Sequence, residues 1–211
     1  PPRSTPKPSS AASDVYKRQE NIPEKYLSND YACESLNDHT IMPGLIDAHM
    51  HISFGECESE EELSIYTSPE YRAIRAATDT EKVLFSGVTS SCDPGGPNNL
   101  GVAVRDARNA GLIQCPGMAA AGRQITSQQG IGDNFPLWIG VPPSSMGVMV
   151  RNSAEIIQEI RDQVKAGVDI IIAQGSEAGG HTGTISSMVL WPQIIDSVAP
   201  LPVLAAGGIV R

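Results

Sequence analysis

Short apolar segments alternating with longer stretches of helical periodicity constrain this chain more than any other feature. Residues 88–93 (V-T-S-S-C-D), 118–125 and 168–173 read as strands, as does the apolar run that opens at Leu45-Ile46. Between them, Ser68-Pro69 starts a helix that runs to about Ser86 and ends before Gly87, with Tyr71, Ile74, Ala77 and Leu84 as the face to bury. A second helix covers residues 102–110 and ends at Gly111. In a third, Asn152 and Glu155 form a capping pair, Ile156, Ile157, Ile160 and Val164 make an apolar stripe, and Gly167 stops it. Trp191-Pro192 opens a fourth, with Ile194, Ile195 and Val198 on one side. Residues 134–150, with Pro136, Pro142 and Pro143, read as a long loop. Strands of four to six residues alternating with such helices imply βαβ units and a parallel sheet. The expected fold is α/β, an incomplete (β/α) TIM-type barrel of about five parallel strands, with any active site at the C-terminal strand ends.

The 211 residues are 40% hydrophobic with a formal net charge of −9, which suits a soluble acidic protein. No basic patch is visible, so nucleic acid and anionic membranes are poor partners and a small molecule is the expected one. The apolar runs are too short to span a bilayer, and the Pro- and Ser-rich start does not read as a signal peptide. Cys33, Cys57, Cys92 and Cys115 are scattered without a C-x-x-C pair, as reduced thiols of a cytoplasmic protein would be. The acidic run in residues 54–62 reads as a solvated face. Residues 1–39 are expected to be a disordered tail and irregular lead-in, and the string A-A-S-D-V-Y-K-R-Q within residues 1–19 looks like a translated linker. Oligomeric state is open.

Residues 41–52 read I-M-P-G-L-I-D-A-H-M-H-I. Side chains two apart on a strand share a face, so His49 and His51 project together beside the Asp47 carboxylate. Two imidazoles with an open position are half of a site for zinc or a similar divalent ion. The string resembles the first barrel strand of the amidohydrolase superfamily, P-G-x-I-D-x-H-x-H, which implies that His49 and His51 bind the metal. G-V-T-S-S-C-D at residues 87–93, A-V-R-D-A at 103–107 and A-A-G-R at 120–123 resemble further motifs of its peptidase-like and imidazolonepropionase-like branch. In place of that branch's Gly-Gly-His-Gly-Asp loop stands Gln129-Gly130-Ile131-Gly132-Asp133.

That resemblance stops near Ala173. The family's fourth strand continues D-x-I-K, with a lysine that can be carboxylated to bridge two metals, whereas Asp169 is followed here by Ile170-Ile171-Ile172. The next residues, A-Q-G-S-E-A-G-G-H-T-G-T, resemble nitronate monooxygenase, a flavin enzyme on the same barrel fold. The resemblance implies that Gln174 and Gly179 contact FMN and that His181 is the catalytic base. L-P-V-L-A-A-G-G-I at residues 201–209 implies phosphate-binding glycines at Gly207 and Gly208. A glycine-rich turn after a strand does expose N–H groups to phosphate, and a histidine titrating near neutrality can take a proton from carbon. The expected division is an amidohydrolase-like half barrel over residues 40–172 and a nitronate monooxygenase-like segment over 173–211. A barrel that ends at Arg211 would lack at least three strands. Three readings therefore compete: a truncated amidohydrolase that hydrolyses amide-like C–N bonds, a flavin oxidoreductase fragment, and an assembly artefact with no function of its own. No turnover is expected of the intact chain, and neither zinc nor FMN is expected to bind tightly.

Overall fold

The computed structural model describes residues 38–126, 135–140, 142, 145–178 and 185–206. The chain divides into a unit ending at Gly44 and a second, Leu45–Arg211. In the first, the described residues 38–44 are exposed and form no helix or strand. The tail expected to be disordered and linker-like lies outside the described residues.

The second unit is α/β, and its described strands all pair in parallel. Strands β1 (Leu45–Asp47), β2 (Val88–Asp93) and β3 (Gly117–Ala120) form one sheet in that order. β4 (Gln124–Thr126) pairs with β5 (Gly147–Met149), and β6 (Ile171–Gln174) with β7 (Val203–Ala206). The described strands are thus seven in three sheets that do not close, where about five in one incomplete barrel were expected.

Two differences from the expected strands have local causes. The stretch read as one strand over residues 118–125 is two, because Gly122 at φ +89° turns the chain between β3 and β4. The stretch read as a loop contains β5, whose pairing partner β4 lies across a span that no local signal marks.

The described α-helices are α1 (Pro69–Phe85), α2 (Leu100–Asn109), α3 (Ser153–Ala166) and α4 (Ser187–Val198). Ser68 caps α1 by accepting from the Tyr71 N–H, with Pro69 at its first position. Asn152 caps α3 by accepting from the Glu155 N–H at 3.0 Å, and the Glu155 carboxylate returns to the Arg151 N–H at 2.8 Å. Gly167 at φ 89° ends that helix. The buried face of α1 is Arg72, Ala76 and Thr80, not the expected apolar one: Tyr71 and Ile74 are 59% and 68% exposed. Helix α4 begins five residues before Pro192, which sits inside it rather than near its start. The Glu177 carboxylate makes that early start possible, accepting from the Ser187 N–H at 2.9 Å and from both Ser186 and Ser187 hydroxyls.

Val102, Ala120, Val168, Ile171 and Val198 form one core cluster, with Ile160 and Ile194 packed against it. Ile52, Ala76, Val104 and Cys115 form a second. Val102 and Val104 of α2 therefore serve different cores. Cys57, Cys92 and Cys115 are free thiols. Among the described residues no helix is long and apolar enough to cross a membrane.

Candidate functional site

The histidine pair lies just past β1 rather than on it. The strand ends at Asp47, and residues 48–51 follow in a bend, tied to the neighbouring strand by the Met50 N–H donating to Cys92 O at 2.9 Å. Asp47 accepts the His49 backbone N–H at 3.1 Å, so its carboxylate shapes the bend. The two rings still converge, edge to face with centroids 5.0 Å apart, and His51 stacks on Phe54 at 4.6 Å.

His51 Nδ1 stands 2.7 Å from Gly95 O, which fixes Nδ1 as the protonated nitrogen and leaves the Nε2 lone pair free. Metal-binding histidines are held in this way, by a carbonyl on the other ring nitrogen. Burial is the largest influence on the ring and lowers its pKa, as does neighbouring His49, while the Gly95 bond acts the other way. The imidazole is therefore mainly neutral at pH 7, the form that ligates. His51 is thus presented as a ligating imidazole would be, with the His49 ring beside it. Among the described residues no cluster of three or more His, Cys, Asp or Glu is placed to hold an ion.

Both histidines line a cavity of about 460 Å³ together with Gln174 at the end of β6. Ile171 and Ile172 of β6 also line it, so the position where the hydrolase resemblance implies lysine faces the same space as the histidines. Its apolar wall includes Ile156 and Ile160 of α3 and Ile194 of α4. The structure thus brings together His49, His51 and Gln174, three residues that two different resemblances pointed to. Gly179, His181, Gly207 and Gly208 lie outside the described residues.

Asp93, at the end of β2, is buried at 1% exposure and accepts from the Gly95 N–H at 3.2 Å. Its other oxygen faces α2, where a Cβ on Gly101 would come within 2.2 Å of it. Burial pushes its carboxyl up to about 6, opposed by the Gly95 bond. Arg123 and Gln124 also line the cavity, each with a buried polar atom, Nε and Oε1, that has no hydrogen-bond partner. Sequence reasoning gave neither a role. The A-A-G-R string marked Arg123, but nothing local says that it borders the space the histidines share.

Comparison with known proteins gives two likenesses. The family model of nitronate monooxygenase matches residues 142–211. A monooxygenase of Mycobacterium tuberculosis is 49% identical over 80 residues, covering 35% of this chain and 21% of its own length. A nitronate monooxygenase of Staphylococcus aureus is 38% identical over 87 residues, covering 33% and 24%. The chain thus spans about a fifth to a quarter of these curated relatives. Solved structures give a second likeness, in fold. An uncharacterised protein superposes with a TM-score of 0.62 at 22% identity, over 78% of this chain and 42% of its own. A. niger ochratoxinase does so with 0.56 at 24% identity, over 77% and 39%. A prolidase complexed with N-methylphosphonate-L-proline gives 0.57 at 22%, over 78% and 42%. At those identities the likeness is one of fold. The chain resembles nitronate monooxygenase in sequence over its last third and amidohydrolases and prolidases in fold over most of its length.

Proposed function

We propose that the chain joins the first strands of a metal-dependent amidohydrolase barrel to an interior segment of a nitronate monooxygenase barrel, with a metal half-site at His49 and His51. The pair of converging rings, with the His51 tautomer set by Gly95 O, carries this reading. When bound, a zinc ion would supply a water activated for attack on an amide carbon. The two ligands among the described residues fall short of the three that catalytic zinc sites use, and Ile172 stands where the resemblance implies lysine. The residues present therefore make half of a hydrolase metal site, which binds metal weakly and supports no turnover by itself. Both likenesses overlap, since the fold match covers more of the chain than the residues before Pro142. We place the crossover no later than Ala173.

The test is zinc titration of metal-stripped protein, with dipeptide hydrolysis assayed alongside. The expected result is micromolar or weaker binding, roughly tenfold weaker still in His51→Ala, and no hydrolysis. Stoichiometric zinc that survives a chelator, or hydrolysis lost in His49→Ala, overturns it.

Gln174 favours a second reading. It lies in the cavity where the nitronate monooxygenase resemblance implies flavin contact, against an apolar wall. FMN would supply redox chemistry there, with Gly179, Gly207 and Gly208 as phosphate donors and His181 as base. Two imidazoles on the same cavity would meet a flat ring that offers them few partners, at roughly 1–3 kcal/mol for each group left unsatisfied. The expected protein is colourless after purification in the presence of FMN. A flavin absorption band that disappears in Gly179→Val or His181→Ala would move the oxidoreductase reading to first place.

A further inference from the structure

The cavity holds a second polar group that neither family reading uses. Arg123 and Gln124 stand at the start of β4, adjacent in sequence, and both border the space. The Arg123 backbone is fixed, because its carbonyl accepts from Gln163 Nε2 at 2.8 Å. Its side chain has Nε buried without a partner, and the Gln124 amide has Oε1 in the same state. An amide can present either end, so turning Gln124 over would aim its NH2 group where the oxygen now lies. Buried donors without partners cost free energy, and they are recovered when a ligand supplies acceptors.

We propose that this cavity binds a small aliphatic monocarboxylate, with Arg123 and Gln124 holding the carboxylate and the isoleucines of α3 and α4 covering the tail. A guanidinium presents parallel N–H donors whose spacing matches a carboxylate, and its single charge balances one anion. Phosphate and other dianions fit poorly, because Arg123 is the only permanent cation among the described residues of the wall and Ile156, Ile160, Ile171 and Ile194 form much of the rest. The volume of about 460 Å³ lies within the range of small-molecule sites and leaves room for a branched tail of four to six carbons. The site is independent of the metal reading, since neither histidine is needed to hold the anion.

The experiment is calorimetric titration of the full chain, in buffer stripped of metal over a chelating resin, with 4-methylpentanoate, 4-methylpentanamide and acetate. The expected result is saturable binding of 4-methylpentanoate at about millimolar or tighter. The amide should bind at least tenfold more weakly for want of charge, and acetate at least tenfold more weakly for want of a tail. In Arg123→Gln, with its fold checked by circular dichroism, acid binding should fall at least tenfold, and Arg123→Lys should keep part of it. The inference is overturned if the acid shows no saturation, if acid and amide bind alike, or if folded Arg123→Gln binds like the parent. Should Arg123→Gln fail to fold, the acid and amide comparison on the unaltered chain decides by itself. Zinc binding is measured separately, so failure here leaves the metal half-site standing, and the reverse holds too.

Discussion

Arg105 and Asp169 join the two parts of the chain. The Arg105 guanidinium donates to Asp169 Oδ2 at 2.6 Å and to Gly167 O at 2.7 Å, and the same carboxylate oxygen accepts the Ala120 N–H at 3.0 Å. Arg105 lies in the A-V-R-D-A string of the hydrolase resemblance, and Asp169 within residues 142–211 that match nitronate monooxygenase. One carboxylate thus fastens α2, β3 and the turn into β6. Asp169→Ala should cost about 1–2 kcal/mol, the lower part of the range for charged hydrogen bonds, because Asp169 is partly exposed. Urea unfolding measures this. A midpoint equal to that of the unaltered chain would show that the pair fastens nothing.

Asp93 should destabilise the fold at neutral pH. Its folded pKa of about 6 lies above the reference 3.8, so the folded state binds its proton more tightly than the unfolded state does. The penalty is absent below about pH 4, grows through the interval, and is fully present above about pH 6. Asp93→Asn keeps an acceptor for the Gly95 N–H and removes the buried charge. At pH 7.5 it should gain up to about 3 kcal/mol, and the difference should vanish near pH 4. Equal stability of the two proteins across that range would contradict the burial argument.

Glu177 works in the opposite sense. Hydroxyl bonds from Ser186 and then Ser187, with the Ser187 N–H, hold its carboxyl down at about 2, against an ordinary value of 4.5. Its contribution to the start of α4 is present above pH 4.5 and is lost as pH falls toward 2. Glu177→Gln should therefore speed amide exchange in the first turn of α4 at pH 6, and the difference should shrink in acid. Unchanged exchange in that turn would remove Glu177 from the cap.

Gly175 allows β6 to run into α4 at close range. A Cβ there would lie 2.0 Å from Ser187 Oγ and 2.7 Å from the Ser187 Cα and N atoms, and backbone cannot move aside cheaply. Gly175→Ala should destabilise by about 1–3 kcal/mol and weaken the Trp191 Nε1 bond to Ala173 O, now 3.0 Å. Thermal unfolding and tryptophan fluorescence measure the two effects. Wild-type values in both would show that the strand and helix are further apart than described.

Ile172→Lys tests the missing ligand. Position 172 faces the cavity that His49 and His51 line, and the hydrolase resemblance implies a carboxylated lysine there. In bicarbonate buffer this substitution should tighten zinc binding at least tenfold, and His51→Ala should cancel the gain. No gain would mean that β6 does not present residue 172 to the histidines.

Local chemistry settled much of this fold from the sequence. Ser68-Pro69 fixed the start of α1, and Asn152, Glu155 and Gly167 fixed both ends of α3, because caps act through bonds only a few residues long. The convergence of His49 and His51 was also legible, although it comes from a bend after a three-residue strand rather than from strand geometry. Tertiary structure decided the rest. Arg72, Ala76 and Thr80 turn inward in α1 while Tyr71 and Ile74 face out, because burial depends on which neighbour a helix meets and not on its own stripe. The partner of His51 Nδ1 is a carbonyl 44 residues away, and β5 exists through its pairing with β4. The shared cavity of His49, His51, Arg123 and Gln174 is likewise a property of the packed chain, since three stretches far apart in sequence meet there only after the backbone has folded.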